Sequence, residues 1–212
     1  MGVNYFIIRN KHSGVFHDLL EHIENRSRLI NAGESNISHP TQGLLDLVTI
    51  RRHKKDFHTV KAVILGDLGL SRVARSLTEG LEKMNTGEII LVSPKDYEPD
   101  MTLFKGARYT DNIESALRNA DVVVTLRVQK ERMENETQFI DLSQYYKDYG
   151  LTSKRLELCK KDAIVMHPGP MNRGVEIENI VADGPQSVIT EQVTNGIATR
   201  MAILSIIEKS AG

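Results

Sequence analysis

Residues 60–71, VKAVILGDLGLS, join a largely apolar run to a loop that contains two glycines and ends on a serine. The run from 60 to 65 predicts a strand that is buried on both faces, as the strands of parallel sheets are. Ser71 can cap a helix that continues through Met84. This stretch therefore predicts a strand, a loop and a helix, which is the first half of a βαβ unit.

Short apolar runs alternate with helical patterns along the rest of the chain in the same way. We predict further strands at residues 5–8, 28–31, 88–92, 121–125 and 163–166. We predict further helices over 15–25, from Pro40 onward, over 112–119, within 145–161 and over 187–209. Strands that alternate with helices predict an α/β fold of parallel sheets flanked by helices.

The predicted elements form two α/β units, which meet at the helix that begins at His39. The first unit holds only two strands and two helices, which is too little for an independent layer, because small domains bury a smaller fraction of their surface. We therefore expect it to be incomplete, with further structure absent or supplied by a partner. The basic run RRHKK at 51–55 ends the shared helix, and we interpret it as a solvated helix end rather than a nucleic-acid site.

The composition excludes several classes of protein. Of 212 residues, 40% are apolar and 26% are charged, which is typical of a globular fold rather than of a disordered or fibrous chain. The formal net charge of −1 argues against a nucleic-acid partner, and no apolar run has the length of a membrane span. The single cysteine, Cys159, and the absence of a signal pattern predict a cytoplasmic protein. Without a cysteine or histidine cluster we expect no metal and no cofactor.

Four segments lie where predicted strands end or helices begin, which is where open parallel sheets bind ligands. In the first segment, His39 lies at a helix N-terminus with Gln42 one turn later. This pair could polarise a bound carbonyl, or His39 could simply cap the helix. In the second, Gly66 and Gly69 precede Arg72, but their spacing departs from a dinucleotide fingerprint. Arg72 in the first helical turn favours an anionic ligand instead.

The other two segments directly follow predicted strands. Arg127 and Gln129 share a face if the strand at 121–125 continues, and a guanidinium there can bind a carboxylate through two parallel hydrogen bonds. The segment HPGPMNRG at 167–174 has an irregular backbone, whose carbonyls either face a substrate or form only a rigid loop. Together the four segments favour transfer of an acyl-like group from a phosphate to a second small polyanion.

Five motifs carry a resemblance to a known family. They are HPTQGLLD at 39–46, SRVARS at 71–76, RVQKER at 127–132, HPGPMNRGVEI at 167–177 and EQVTNG at 191–196. In this order they closely resemble the catalytic chain of the aspartate transcarbamoylase family, from Arg9 to about Met201. The related ornithine transcarbamoylases place a cysteine-leucine-proline loop where this chain has Pro168, Gly169 and Pro170.

The resemblance implies transfer of a carbamoyl group from carbamoyl phosphate to L-aspartate, which yields N-carbamoyl-L-aspartate and phosphate in pyrimidine biosynthesis. It implies the remainder of a carbamoyl phosphate domain at residues 1–50 and a complete aspartate domain at 51–186. Residues 187–212 would form a terminal helix that packs back towards the first domain. The family also implies a homo-oligomer, a trimer with active sites between subunits.

The resemblance further implies the roles of individual residues. Carbamoyl phosphate is expected to bind Arg9, His39 and Gln42, of which the last two are catalytic. Aspartate is expected to bind Arg72, Arg127 and Gln129. The backbone carbonyls that contact the attacking amine belong to Gly169 and Pro170.

The chain departs from the family pattern in its first part. The serine-threonine-arginine-threonine loop that grips carbamoyl phosphate has no match, nor do the serine and lysine that reach in from a neighbouring subunit. The family's arginine-histidine-proline motif becomes Arg9-Asn10-Lys11. We therefore expect a form shortened at its N-terminus, with little turnover by this chain alone. The alternative is a non-catalytic ligand-binding or interaction subunit derived from the same family.

Overall fold

The computed structural model describes residues 3–23, 27–128 and 141–210. The strands within these ranges are β1 Tyr5–Asn10, β2 Arg28–Glu34, β3 Lys61–Leu65, β4 Glu88–Val92, β5 Arg108–Thr110, β6 Val122–Thr125 and β7 Ile164–Met166. The α-helices are α1 Val15–Leu20, α2 Pro40–His53, α3 Arg72–Lys83, α4 Ile113–Leu117, α5 Leu142–Tyr149, α6 Ser153–Leu156, α7 Asn179–Ala182 and α8 Ile189–Lys209, and short 3₁₀ helices lie at Phe57–Thr59, Lys95–Tyr97 and Met101–Leu103. None of the helices in this part of the chain is long and apolar enough to cross a membrane.

The strands form two parallel sheets in the described ranges. β1 pairs with β2, and the second sheet has the order β5-β4-β3-β6-β7, with every neighbouring pair parallel. The chain runs outward from β3 through β4 to β5, and then returns to the other side of β3 for β6 and β7. The strand order therefore reverses between β3 and β6, whose carboxyl ends flank the crevice in which such sheets bind ligands. The predicted α/β fold of parallel sheets flanked by helices is confirmed.

The hydrophobic core covers both faces of the five-stranded sheet. Ile64 and Leu91 belong to the cluster on one face, and Val63 and Val165 belong to the cluster on the other. Residues 62–65 of β3 are inaccessible to solvent. The prediction of a strand buried on both faces is therefore confirmed, and β3 is the rigid centre from which the neighbouring loops extend.

The basic run that ends α2 pairs with neighbouring elements. The Arg52 guanidinium donates to Asn195 Oδ1 of α8 at 2.7 Å. Lys54 is only 9% exposed, and its Nζ donates to the Asp162 carboxylate at 2.6 Å. The interpretation of this run as a solvated helix end is therefore wrong for Lys54, which is buried, whereas Arg51, Arg52, His53 and Lys55 are exposed as expected.

Several boundaries differ from the sequence predictions. α1 ends at Leu20, short of residue 25. The helix predicted within 145–161 is two helices, α5 and α6, because Leu151 between them leaves the helical path and forms a parallel bridge with Ile177. The sequence patterns do not predict β5 or α7, which are three and four residues long. Elements this short carry too few residues to show a period.

Candidate functional site

A cavity of about 660 Å³ opens where the carboxyl ends of both sheets meet. Its wall consists of segments at the ends of β1, β2, β3, β6 and β7. The lining residues are Arg9, Asn10, Lys11, Ser35, Asn36, Leu70, Ser71, Arg72, Val73, Leu126, Arg127, Pro168, Gly169 and Pro170. The fold therefore brings five of the predicted site residues together around one cavity, namely Arg9, Arg72, Arg127, Gly169 and Pro170.

The wall of this cavity is cationic. Arg9, Lys11, Arg72 and Arg127 line it, and no Asp or Glu is among the described lining residues. Like charges that line one cavity repel one another, and the repulsion is stronger where water is partly excluded. An anionic ligand relieves that repulsion, so the wall favours a ligand with more than one negative charge.

The loop after β2 fixes the position of Arg72. Ser71 accepts a hydrogen bond from the Ala74 N–H at 3.1 Å, which confirms the predicted cap and makes Arg72 the first residue of α3. Arg72 Nη1 donates to the Ser35 carbonyl oxygen at 3.0 Å. Gly33 has a φ of +124°, and a Cβ at that position would lie 2.9 Å from Arg72 Cζ. The Arg72 guanidinium thus packs directly against the Gly33 backbone. Any residue with a Cβ at position 33 would occupy that space.

Close contact between β3 and β6 places Arg127. The Leu126 N–H donates to the Leu65 carbonyl oxygen at 2.7 Å, which carries the β6 backbone alongside the end of β3. Gly66 has a φ of +140°, and a Cβ there would lie 2.8 Å from the Leu126 carbonyl oxygen. Gly66 is therefore explained by the close packing of two backbone segments and does not require a nucleotide. Arg127 directly follows Leu126 in the segment that packs against Gly66. Gln129 lies outside the described residues.

His39 is held without charge beside the cavity. It occupies the N-cap position of α2, but its side chain makes no capping hydrogen bond, so the interpretation of His39 as a simple cap is wrong. Its Nδ1 is buried and has no hydrogen-bond partner among the described residues. Burial, together with the positive charges of Arg72, Arg200 and Arg9, lowers the pKa of His39 to about 4. The ring is therefore neutral at pH 7, with a nitrogen that the protein leaves to a ligand.

Gln42 is buried one turn further along α2. Its Nε2 donates to Asp46 Oδ1 at 3.0 Å. This bond uses the nitrogen end of the amide and leaves the oxygen end to accept a hydrogen bond from a ligand. Burial raises the pKa of Asp46 to about 7, although hydrogen bonds from Gln192 and Gln42 oppose that shift. Neither His39 nor Gln42 lines the cavity itself.

Some polar residues of this region have no role in the sequence predictions. Ser76 Oγ accepts from the His39 N–H at 2.8 Å, and Gln192 donates to Asp46. Asp46 carries a sequence signal, because it lies one helical turn after Gln42 and so shares its face. Ser76 and Gln192 depend on the packing of α3 and α8 against α2, which no local pattern predicts.

The loop after β7 is held by its own histidine. The Gly169 N–H donates to His167 Nδ1 at 2.8 Å, and the His167 ring is buried. The next residue, Pro170, lines the cavity with Gly169. In the described residues, no group of three or more His, Cys, Asp or Glu side chains could hold a metal ion. The described part of the site therefore offers cations, a neutral imidazole, an amide and backbone carbonyls.

Comparison with known proteins assigns this chain to one family. Residues 58–207 match the family described as aspartate/ornithine carbamoyltransferase, Asp/Orn binding domain. An aspartate carbamoyltransferase catalytic subunit from Ruthia magnifica subsp. Calyptogena magnifica is 47% identical over 207 residues, which cover 98% of this chain and 64% of that relative. The chain thus spans less than two thirds of the relative's length.

Solved structures share the fold. Ornithine carbamoyltransferase from Pyrococcus furiosus matches with a TM-score of 0.83 and 25% identity, over 96% of this chain and 66% of that one. Aspartate transcarbamoylase from Trypanosoma cruzi, in complex with phosphate, matches with a TM-score of 0.82 and 27% identity, over 95% of this chain and 66% of that one. Both matches extend across the two sheets and the cavity between them.

Proposed function

Since this chain belongs to the aspartate/ornithine carbamoyltransferase family, we propose that it binds L-aspartate as the acceptor in carbamoyl transfer from carbamoyl phosphate. The products are N-carbamoyl-L-aspartate and phosphate, in a step of pyrimidine biosynthesis. The observation that carries the proposal is the charge of the cavity, where four cationic side chains and no acidic one are among the described lining residues.

The same charge favours aspartate over ornithine as the acceptor. Aspartate presents two carboxylates, which guanidinium groups bind through parallel, charge-assisted hydrogen bonds. Ornithine presents a second ammonium group instead, and a cation placed beside Arg72 and Arg127 is repelled.

The acceptor is held at the β6 and β7 side of the cavity. Arg127 and Arg72 bind its carboxylates, and Gln129 is proposed to assist them. The backbone carbonyls of Gly169 and Pro170 accept hydrogen bonds from the uncharged amine, which directs the nitrogen lone pair towards the carbamoyl carbon. Orientation of this kind supplies up to about 7–11 kcal/mol in favourable intramolecular reactions, so positioning is the main catalytic effect.

The donor is held at the α2 side. Arg9 binds the phosphate, the neutral His39 ring donates to the carbamoyl oxygen, and the Gln42 amide oxygen accepts from the carbamoyl NH₂. As the amine nitrogen forms its bond to the carbamoyl carbon, negative charge develops on that oxygen, and the imidazole stabilises it. The carbon–oxygen bond to phosphate then breaks. Phosphate leaves with the electron pair and takes the amine proton, so the reaction requires no protein base.

Assembly and location complete the proposal. Val193, Ile197 and Met201 follow one another at four-residue spacing on α8 and are each more than 60% exposed. An apolar stripe of this kind is suited to burial in a homo-oligomer, for which the family suggests a trimer. The unpaired, buried Cys159 suits the reducing cytoplasm. We also propose the division into residues 1–50, 51–186 and 187–212, which the separation of the two-stranded sheet from the five-stranded sheet supports.

Calorimetry with succinate tests the acceptor site, because succinate has both carboxylates of aspartate and no amine to react. We expect weak succinate binding by the wild-type chain and no measurable binding of ornithine. Arg127→Ala should lower succinate affinity at least tenfold, since a hydrogen bond between charged groups contributes roughly 1.5–3 kcal/mol. Arg51→Ala, at an exposed position outside the cavity lining, is the matched control. Equal succinate affinity in Arg127→Ala, or ornithine binding as tight as succinate binding, would overturn the assignment.

A further inference from the structure

Two cationic side chains without a protein partner lie together at the end of β1. Arg9 and Lys11 flank Asn10, the last residue of the strand, and both line the cavity. This agrees with extended backbone, along which residues two apart point to the same side. Neither side chain makes a hydrogen bond or an ion pair with any residue that the structure describes. This end of β1 therefore presents positive charge that is left to a ligand.

The backbone around Lys11 is held in place. The Asn10 carbonyl oxygen accepts from the Ser35 N–H at 2.8 Å, which ties the end of β1 to the loop after β2. The Asn10 Oδ1 accepts from the His12 N–H at 2.9 Å, an Asx turn that bends the chain at Lys11. The Lys11 side chain itself is exposed. A fixed backbone therefore presents a long, flexible cation at the cavity wall.

An acidic residue lies across from this turn, but it does not neutralise the two cations. Glu34 is the register partner of Asn10 on β2. Its Oε1 accepts from the Gly14 N–H at 2.9 Å, and the residue is only 8% exposed and outside the cavity lining. The Glu34 carboxylate is thus directed to backbone, and the charges of Arg9 and Lys11 stay uncompensated within the described structure.

Two neighbouring cations favour a dianion over a monoanion. A phosphate monoester carries a charge of about −1.5 to −2 at pH 7, whereas a carboxylate carries a single negative charge. Each cation therefore attracts a phosphate up to about twice as strongly as a carboxylate at the same distance. The Arg9 guanidinium offers a planar fork, and the Lys11 ammonium offers a compact charge on a flexible stem. The pair thus suits a leaving group that gains charge and moves as its bond to the carbamoyl carbon breaks.

We propose that Lys11 is a specificity-determining residue, which acts beside Arg9 to select a doubly charged phosphate as the leaving group of the donor. The inference rests on the proposed function. Arg9 and Lys11 bind different phosphate oxygens, and Lys11 stabilises the charge that the phosphate gains when it leaves with the electron pair. A donor whose leaving group carries a single charge gains less from the second cation. Lys11 therefore separates phosphate donors from carboxylate analogues that offer the same amide.

Two matched probes measure this selectivity by calorimetry. Phosphonoacetamide and malonamate carry the same amide on one methylene carbon, which bears a phosphonate in the first and a carboxylate in the second. The selectivity is the ratio of their affinities for the same chain. We expect the wild type to prefer phosphonoacetamide roughly tenfold or more, because a further hydrogen bond between charged groups has about that effect. Lys11→Met, which keeps an apolar stem and removes the charge, should lower the ratio roughly fivefold.

Two further variants separate the charge of Lys11 from other effects. Lys11→Arg keeps the charge and should keep most of the preference for phosphonoacetamide. Lys55→Met removes an exposed lysine outside the cavity lining and should match the wild type. Succinate affinity should be little changed in Lys11→Met, since the proposed acceptor site lies at the β6 and β7 side of the cavity.

A wild-type ratio that survives in Lys11→Met would overturn the proposal. An equal loss of affinity for both probes would also overturn it, because that is the result of a purely structural role. A ratio lowered to the same extent by Lys55→Met would assign the effect to net charge and not to Lys11. A wild-type chain that binds neither probe refutes the donor site of the proposed function, whereas one that binds both with equal affinity refutes the role of Lys11 alone.

Discussion

Replacing Asp46 by asparagine should change how the stability of the protein depends on pH. Burial raises the pKa of Asp46 from 3.8 to about 7 in the folded state. Between these two values, the folded protein holds a proton that the unfolded chain has released. The free energy of unfolding contributed by this group therefore decreases as the pH rises through that window, and asparagine has no corresponding proton.

The two pKa values differ by about 3, which corresponds to about 4 kcal/mol. Part of this stability is already lost at pH 5, because the carboxyl group of the unfolded chain is then mostly ionised. Roughly 2.5 kcal/mol should be lost between about pH 5 and pH 8. The asparagine variant also buries an N–H that has to find a partner, but that penalty does not change with pH.

Urea unfolding of the wild type and Asp46→Asn at several values between about pH 5 and pH 8 measures the effect. As the pH rises across this range, the free energy of unfolding of the variant minus that of the wild type should increase by roughly 2.5 kcal/mol. Asp111→Asn, whose carboxylate is exposed, is the control and should follow the wild type. A difference between the wild type and Asp46→Asn that stays constant with pH, or that moves the other way, would refute the reasoning.

Two glycine substitutions test the backbone that supports the arginines. Gly33→Ala places a Cβ 2.9 Å from Arg72 Cζ, which should displace the guanidinium. Loss of one charged contact should weaken succinate binding roughly tenfold or more. Unchanged succinate binding would contradict the role of Gly33 in positioning Arg72. Gly66→Ala places a Cβ 2.8 Å from the Leu126 carbonyl oxygen at a φ of +140°, so thermal unfolding should show a loss of about 1–3 kcal/mol or more. A wild-type melting temperature in Gly66→Ala would show that the strands have room to separate.

The parts of the fold that follow from the sequence are those with a strong local signal. The apolar run that forms β3 has one interpretation, and it is buried on both faces as expected. β5 consists of Arg108, Tyr109 and Thr110, and its edge position leaves it without the apolar run that marks a central strand. The burial of the charged Lys54 is also not predictable from local sequence. Its partner Asp162 is 108 positions away, and only the folded chain brings the two side chains together.

The candidate site divides in the same way. Arg72 and Arg127 follow from topology, since parallel strands deliver the residues after them to one edge of a sheet. Gln192 does not, because its partner Asp46 is 146 positions away. The protonation state of His39 is likewise a product of packing: three arginines surround it only once both sheets and α8 are in place. Local patterns therefore predict several of the groups that line the cavity, and tertiary structure decides the charge and orientation of the groups around it.

The position of the cavity explains why these details matter together. Arg9 lies near the end of β1 in the two-stranded sheet, whereas Arg127 follows β6 in the five-stranded sheet. Arg9 and Arg127 carry like charges on opposite sides of the boundary between the two sheets. A dianion bound between them attracts both side chains. Had His39 kept its ordinary pKa of 6.5, its ring would gain charge as the pH falls through that value and would add to the repulsion. Its depressed pKa instead keeps the α2 side neutral, where we propose that the carbamoyl group binds, and leaves the positive charge on Arg9, Arg72 and Arg127, the proposed partners of phosphate and carboxylates.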